Sequence, residues 1–450
     1  MDSSKRHASL LAADFAHVWH PFTQMQAWPE DAPLVIESAE GNYLVDDLGH
    51  RYLDGVSSLW VTVHGHRKRE IDDAVRAQLD RVAHSTLLGL ASVPSIQLAE
   101  ALAQVAPEGL TRVFYSDSGS TSVEVAAKMA YQYWQQRGRP SKQKFVALQD
   151  AYHGDTLGSV SLGGMDLFHG LFRGLLFDVL RLPSLDAYHH PGPGDCAEAC
   201  LCAAAALFSQ RADEIAGLII EPLVQGAAGM LMQPQGFLKR LATLCRAHDI
   251  LLICDEVATG FGRTGTLFAV EQEDVRPDLM CVAKGLTGGY LPLAATLATE
   301  EIYSAFLGDV ADKRTFFHGH TYTGNPLACA AALASLKLFE SEQTLRRMKG
   351  PAQTLARALE RVASLQHVGE VRQRGLMVGV ELVSDRKTRA GYPYGERMGH
   401  RVCLAVRERA ILLRPLGNVV VMMPPLSLTD AEAQKLGDAV YDAVVEVTER

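Results

Sequence analysis

From Arg112 onward the chain alternates short apolar runs with amphipathic stretches, and this alternation restricts the fold more than any other feature. Residues 111–115, 144–148, 215–220, 250–254 and 279–283 are apolar runs short enough to be strands buried on both faces. Between them, residues 122–136, 198–208 and 234–248 read as helices. Strand, helix and strand in this order predict an α/β fold built on a mainly parallel sheet with helices on both faces. Residues 322–340 read as a long Ala-rich helix. New apolar runs at 368–382 and 411–423, separated by charged helices, predict a smaller α+β domain. The hairpin-like alternation at 34–38 and 42–46 joins it. The expected organisation is therefore 1–65 and 336–450 as two parts of a small domain around a large domain at 66–335.

Composition removes several function classes. Of 450 residues 48% are hydrophobic and 21% charged, the balance of an ordered globular enzyme rather than a disordered chain. Lys and Arg number 43 against 52 Asp and Glu, a formal charge of −9, so nothing global favours nucleic acid or an anionic membrane. No run approaches the ~20 apolar residues of a membrane span. Residues 1–15 lack the apolar core of a secretory signal, so the protein is expected in the cytoplasm with reduced thiols. Eight cysteines are too few for a disulfide scaffold. Cys196, Cys200 and Cys202 cluster without a second pair at zinc spacing and read as small side chains on a helix.

Five short segments carry the chemistry, most of them closing a predicted strand, at the sheet edge where ligands bind in open α/β folds. Ser116-Asp117-Ser118-Gly119-Ser120 is a small-residue turn before a helix, suited to a phosphate or to plain capping. In Ala151-Tyr152-His153-Gly154-Asp155 an aromatic follows a strand and can stack on a planar ring. Asp255 and Glu256 end the run 250–254, and a buried acid there needs a partner such as a protonated ring nitrogen. Lys284 ends the next run and is placed to form an imine. His318 to Pro326 is a second small, polar turn before a helix. Its two histidines lack a third ligand, so no metal is expected. A phosphate cradle, a stacking aromatic, an acid and an amine are together what pyridoxal 5'-phosphate requires.

These residues resemble those of the class III aminotransferases of fold type I, over nearly the whole chain, which implies a large domain with a mainly parallel seven-stranded sheet and a smaller α+β domain. The most specific stretch is Ile253-Cys254-Asp255-Glu256-Val257-Ala258-Thr259-Gly260-Phe261-Gly262-Arg263-Thr264-Gly265, followed by Lys284-Gly285-Leu286-Thr287-Gly288-Gly289. Within the class, Trp19 to Met25, Asp54 to Trp60 with His64-Gly65-His66, and Leu413-Arg414-Pro415-Leu416-Gly417 are most similar to the branch in biotin synthesis that aminates 8-amino-7-oxononanoate. The resemblance implies that Lys284 holds the cofactor and that Asp255 faces its ring nitrogen. Gly119 and Ser120 would bind the phosphate, with His320 and Thr321 supplied by the partner subunit of a homodimer, and Tyr152 would stack on the ring. It further implies that Phe22, Leu59, Trp60, Tyr152, Arg263, Gly319 and Arg414 contact substrate.

Two departures bear on the amino donor. Relatives that use S-adenosylmethionine usually carry Tyr where Phe22 stands, and two consecutive Trp where Leu59 and Trp60 stand. The resembling lysine-using variants carry this Phe and this single Trp, which leans the donor toward L-lysine and leaves S-adenosylmethionine open. Ala227 stands where ornithine- and 4-aminobutyrate-type relatives often carry Glu, which argues against those donors. The alternatives within the fold are an ω-amino acid:pyruvate aminotransferase and a pyridoxal-phosphate aminomutase.

Overall fold

The apolar runs become the strands of one seven-stranded sheet in the computed structural model, which describes residues 3–190 and 195–449. In spatial order the strands are Leu110–Ser116, Ala294–Thr299, Leu279–Val282, Leu251–Asp255, Ile215–Ile220, Lys144–Leu148 and Val179–Leu182. Ala294–Thr299 runs antiparallel to both its neighbours, and the remaining pairings are parallel. Every residue of Ile215–Ile220 and Leu251–Asp255 is buried, as expected of strands covered on both faces.

Two strands of this sheet are absent from the five apolar runs. Ala294–Thr299 is a run of small residues, and Val179–Leu182 is a four-residue edge strand that carries Arg181. The Arg181 guanidinium is consumed by the carbonyls of Ser161, Leu162 and Gly163 at 2.6 Å each. Helix ends also shift. The helix expected from 122 begins at Gly119, because Ser118 and Thr121 form a reciprocal cap one turn earlier. The helix expected from 322 begins at Pro326, where Asn325 accepts the Leu327 and Ala328 N–H groups at 3.1 Å and Pro326 fits the first turn.

The chain ends build two further four-stranded sheets. One comprises Ile36–Glu40, Tyr43–Asp46, Arg51–Asp54 and Ile411–Leu412, the last pairing in parallel with Arg51–Asp54. The other comprises Val368–Arg374, Met377–Leu382, Val419–Met422 and Arg414–Leu416. The apolar run at 368–382 is thus a hairpin turned at Gly375, which lies at φ +59° and where a Cβ would meet the Arg263 carbonyl oxygen at 2.5 Å. Leu53 joins N-terminal to C-terminal chain: it is fully buried and faces Ile411 across the parallel ladder. Leu53→Ala should cost about 2–5 kcal/mol. Urea unfolding checks this, and a midpoint unchanged from wild type would deny that this contact ties the two chain segments together.

Candidate active site

The C-terminal ends of five strands and the turns that follow them converge on one chamber of about 2050 Å³. It is lined by Ser118, Gly119 and Ser120 after the first strand, by Tyr152 to Thr156 after the second, by Glu221, by Asp255, and by Lys284. Phe22, Leu59, Trp60, Ala227 and Arg414 line it from other parts of the chain.

Asp255 closes a strand whose neighbours are apolar, and it is 4% exposed. A buried carboxylate is stable only when paired and hydrogen-bonded. His153 supplies that partner, its Nδ1 lying 2.8 Å from Asp255 Oδ2, while the Val257 N–H donates to Oδ1 at 3.1 Å. Lys284 sits at φ +42°, a left-handed conformation rare for a side-chain-bearing residue. Burial lowers the Lys284 amine below the usual lysine range, and Asp255 and Glu221 offset part of that shift. Its Nζ lies over the Trp60 ring at 4.7 Å from the centroid, so an aromatic face borders the amine on one side.

Tyr152 is anchored at both ends: its N–H donates to Glu221 Oε2 at 3.1 Å and its hydroxyl to Asp155 Oδ2 at 2.8 Å. The same turn closes on the phosphate-type loop. Thr156 N–H donates to Ser120 Oγ at 3.0 Å, and Gly154, at φ +122°, leaves no room for a Cβ, which would fall 2.3 Å from that oxygen. Gly119 is equally confined, since a Cβ there would meet Val257 at 2.5 Å. The first turn of Gly119–Gln136 therefore presents backbone to the chamber with nothing between.

These features fit pyridoxal phosphate. A small-residue cradle lies at a helix N-terminus, a carboxyl group is hydrogen-bonded by an imidazole, an aromatic is fixed at its N–H and hydroxyl, and the amine is shifted toward its neutral form.

Not every expected residue reaches the chamber. Gly319, His320 and Thr321 do not line it within this chain. Arg263 is 2% exposed and does not line it either. Its guanidinium is engaged by the Met423, Pro424 and Thr62 carbonyls and by Ser57 Oγ. Burial pushes it down to about 10. Glu256 also departs from the sequence reading, which counted it as a second site carboxylate. It is fully buried away from the chamber, accepting from Thr259 Oγ1 at 2.6 Å and from the Val270 N–H at 2.9 Å, and it tethers the segment that follows the strand.

His153 and Glu221 are site residues that the sequence reading did not single out. Both lie next to quoted positions, but only the fold shows that they face Asp255 and Tyr152. Burial pushes the Glu221 carboxyl up to about 7, with His153 opposing and Asp255 reinforcing the shift.

A mainly parallel α/β sheet with an amine and a carboxyl group lining one chamber at its C-terminal edge defines the class, a fold type I transferase. The chain belongs to the class III aminotransferases: the model of that family matches residues 25–444. It is 56% identical to an adenosylmethionine-8-amino-7-oxononanoate aminotransferase of Nitratidesulfovibrio vulgaris, over 99% of this chain and 83% of that one. It is 52% identical to the enzyme of the same name from Geobacter sulfurreducens, over 97% of each. The crystal structure of the like-named enzyme from Methanocaldococcus jannaschii superposes with a TM-score of 0.94 at 44% identity, covering 98% of this chain and 99% of that one. A PLP-bound amine transaminase from an uncultivated Pseudomonas species superposes with a TM-score of 0.90 at 38% identity, over 96% and 98%.

A lowered amine has a larger neutral fraction at any given pH, and only the neutral amine attacks an aldehyde. At pH 7, pyridoxal phosphate followed by borohydride should therefore label Lys284 ahead of every surface lysine. Peptide mass spectrometry reads the site, and Lys284→Ala should lose that label. Even labelling across many lysines would contradict the assignment.

Proposed function

We propose that this aminotransferase uses pyridoxal 5'-phosphate to move an amino group onto 8-amino-7-oxononanoate, giving 7,8-diaminopelargonate in biotin synthesis. The observation that carries the reading is the convergence of Lys284, Asp255, Tyr152 and the Gly119–Ser120 turn on one chamber. Identities of 44–56% to relatives named for that acceptor, against 38% to the amine transaminase, favour it over a general ω-amino acid enzyme.

Pyridoxal phosphate supplies an electron sink for breaking the bond between substrate carbon and hydrogen. Lys284 Nζ would hold the cofactor, and its amine would carry the proton from the substrate carbon to the cofactor carbon. Asp255, oriented by His153, would face the cofactor's ring nitrogen and favour its protonated form. Gly119 and Ser120 take the phosphate, and Tyr152, held by Glu221 and Asp155, covers the ring. Trp60 and Ala227 give an apolar lining for a long chain, and Arg414, exposed at the chamber wall, grips its terminal carboxylate.

His320 and Thr321 belong in this reading to the site of a second subunit. Large exposed apolar side chains support a homodimer: Leu88 is 71% exposed, Phe317 79% and Tyr322 62%, on segments flanking that loop. All eight cysteines are free, in keeping with the cytoplasm. No helix among the described residues is long and apolar enough to cross a membrane.

Purified enzyme given 8-amino-7-oxononanoate and a donor should form 7,8-diaminopelargonate, read by mass spectrometry. Asp255→Asn should fold and lose activity by about 100-fold or more, since a neutral amide cannot hold the cofactor's ring nitrogen protonated. No product with wild type would reject the acceptor. An Asp255→Asn enzyme within about tenfold of wild type, ~1.4 kcal/mol, would reject the role of the acid.

Phe22, Leu59 and Trp60 lean the donor toward L-lysine, while the names of the relatives keep S-adenosylmethionine open. Phe22 meets Phe168 edge-on at 5.4 Å and Leu59 is half exposed, so the chamber offers one indole and no phenol at these positions. A flat adenine and a sulfonium gain from aromatic faces, whereas lysine needs none. L-Lysine should convert the wild-type cofactor to its amine form faster than S-adenosylmethionine, and Leu59→Trp with Phe22→Tyr should gain on S-adenosylmethionine. Absorbance in single-turnover mixing reads both. Rapid conversion by S-adenosylmethionine and none by lysine would show that these positions do not set the donor.

A further inference from the structure

The segment that carries Leu59 and Trp60 is folded against its own preference. Ser57, Ser58 and Trp60 lie at φ +51°, +58° and +65°, and Ser58 combines its angle with ψ −79°. Side-chain-bearing residues avoid this region, and three in four positions persist only where surrounding structure over-determines them.

The restraint comes mainly from Asp54. Its side chain is fully buried, and both carboxylate oxygens accept the Ser58 N–H at 2.8 Å. Oδ2 also accepts Ser58 Oγ at 3.2 Å, and Oδ1 accepts the Val56 N–H at 3.4 Å. His66 Nε2 lies 2.8 Å from Oδ2 and fixes the carboxylate from the far side. A second anchor holds the start of the turn, where Ser57 Oγ donates to the Met423 carbonyl at 2.7 Å and receives Arg263 Nη2 at 3.4 Å. The product of this restraint is the position of two side chains. Trp60 is wedged between Lys284 and Gly226, where a Cβ would lie 3.3 Å from the indole. Leu59 is half exposed and lines the chamber.

We propose that Asp54 and His66 form a positioning pair that sets which amino donor the chamber accepts, by holding the left-handed turn 57–60 so that Leu59 and Trp60 stand as its walls. The proposal rests on the aminotransferase reading above. Neither residue reacts. An aspartate is used because two acceptor oxygens meet one turn while a third bond fixes the carboxylate from behind, which an amide cannot do.

Asp54→Asn should raise the donor KM at least tenfold, leave kcat within about threefold, and leave cofactor content unchanged. The emission of Trp60, taken as wild type minus Trp60→Phe, should shift to the red as the indole leaves its slot. Adding Ser58→Gly should recover at least a third of the lost affinity, because glycine adopts the Ser58 angles without a restraint. A carboxylate that only supports the fold would not be rescued by that change. His66→Gln, which keeps a donor to the carboxylate, should behave nearly as wild type, and His66→Leu should resemble Asp54→Asn. The second pair decides the matter if Asp54→Asn does not fold. Unchanged donor KM and Trp60 emission in Asp54→Asn, no relief from Ser58→Gly, or identical behaviour of the two His66 variants would each overturn the proposal. Failure of the wild type to aminate 8-amino-7-oxononanoate would instead reject the functional reading. The Trp60 emission of the cofactor-loaded protein would still test Asp54.

Discussion

The buried carboxylate of Asp255 is the group around which the remainder of the site is arranged. It ends a strand of wholly buried residues, where an unpaired charge could not persist. Its needs are met by His153 from the adjoining turn and by the amine of Lys284, whose own shift it opposes. His153 can serve only if its turn folds back across the sheet edge. That fold depends on Gly154 lying against Ser120 and on Tyr152 bonding to Glu221. Acid, imidazole, aromatic and phosphate-type cradle are therefore one connected structure rather than four independent placements.

The opposite wall of the chamber is made differently. Where the sheet edge uses strand ends, which are rigid because both faces are packed, the wall at 57–60 is a turn in an unfavourable conformation. Buried polar side chains hold it: Asp54 with His66, and Arg263 with Ser57. In the reading proposed above, cofactor-facing groups stand on the sheet edge and substrate-facing groups on the turn.

Arg263 shows how a motif residue can be recognised and still be misplaced. It lies in the most specific stretch of sequence, next to the strand that ends in Asp255, and was expected to touch substrate. The fold instead surrounds its guanidinium with backbone carbonyls from 62, 423 and 424 and with Ser57 Oγ. It joins the large sheet's segment to the chain ends and supports the chamber from behind.

Much of the fold was legible because its signal is local. Buried parallel strands are apolar runs, and Lys144–Leu148 and Ile215–Ile220 lie where those runs do. Asp255 and Lys284 were legible for a related reason, since a charge closing such a run is conspicuous against its neighbours. The alanine-rich strand Ala294–Thr299 and the short edge strand Val179–Leu182 have no such signal, because their strand state is fixed by the partners they pair with. The sequence by itself determined the class of sheet, the acid, the amine and the small-residue turns. Only the tertiary structure decided that His153 serves Asp255, that Glu221 anchors Tyr152, that Glu256 turns away and that Asp54 restrains Ser58. Whether a polar side chain acts depends on which partner meets it, and a distant partner leaves no periodicity or composition to read.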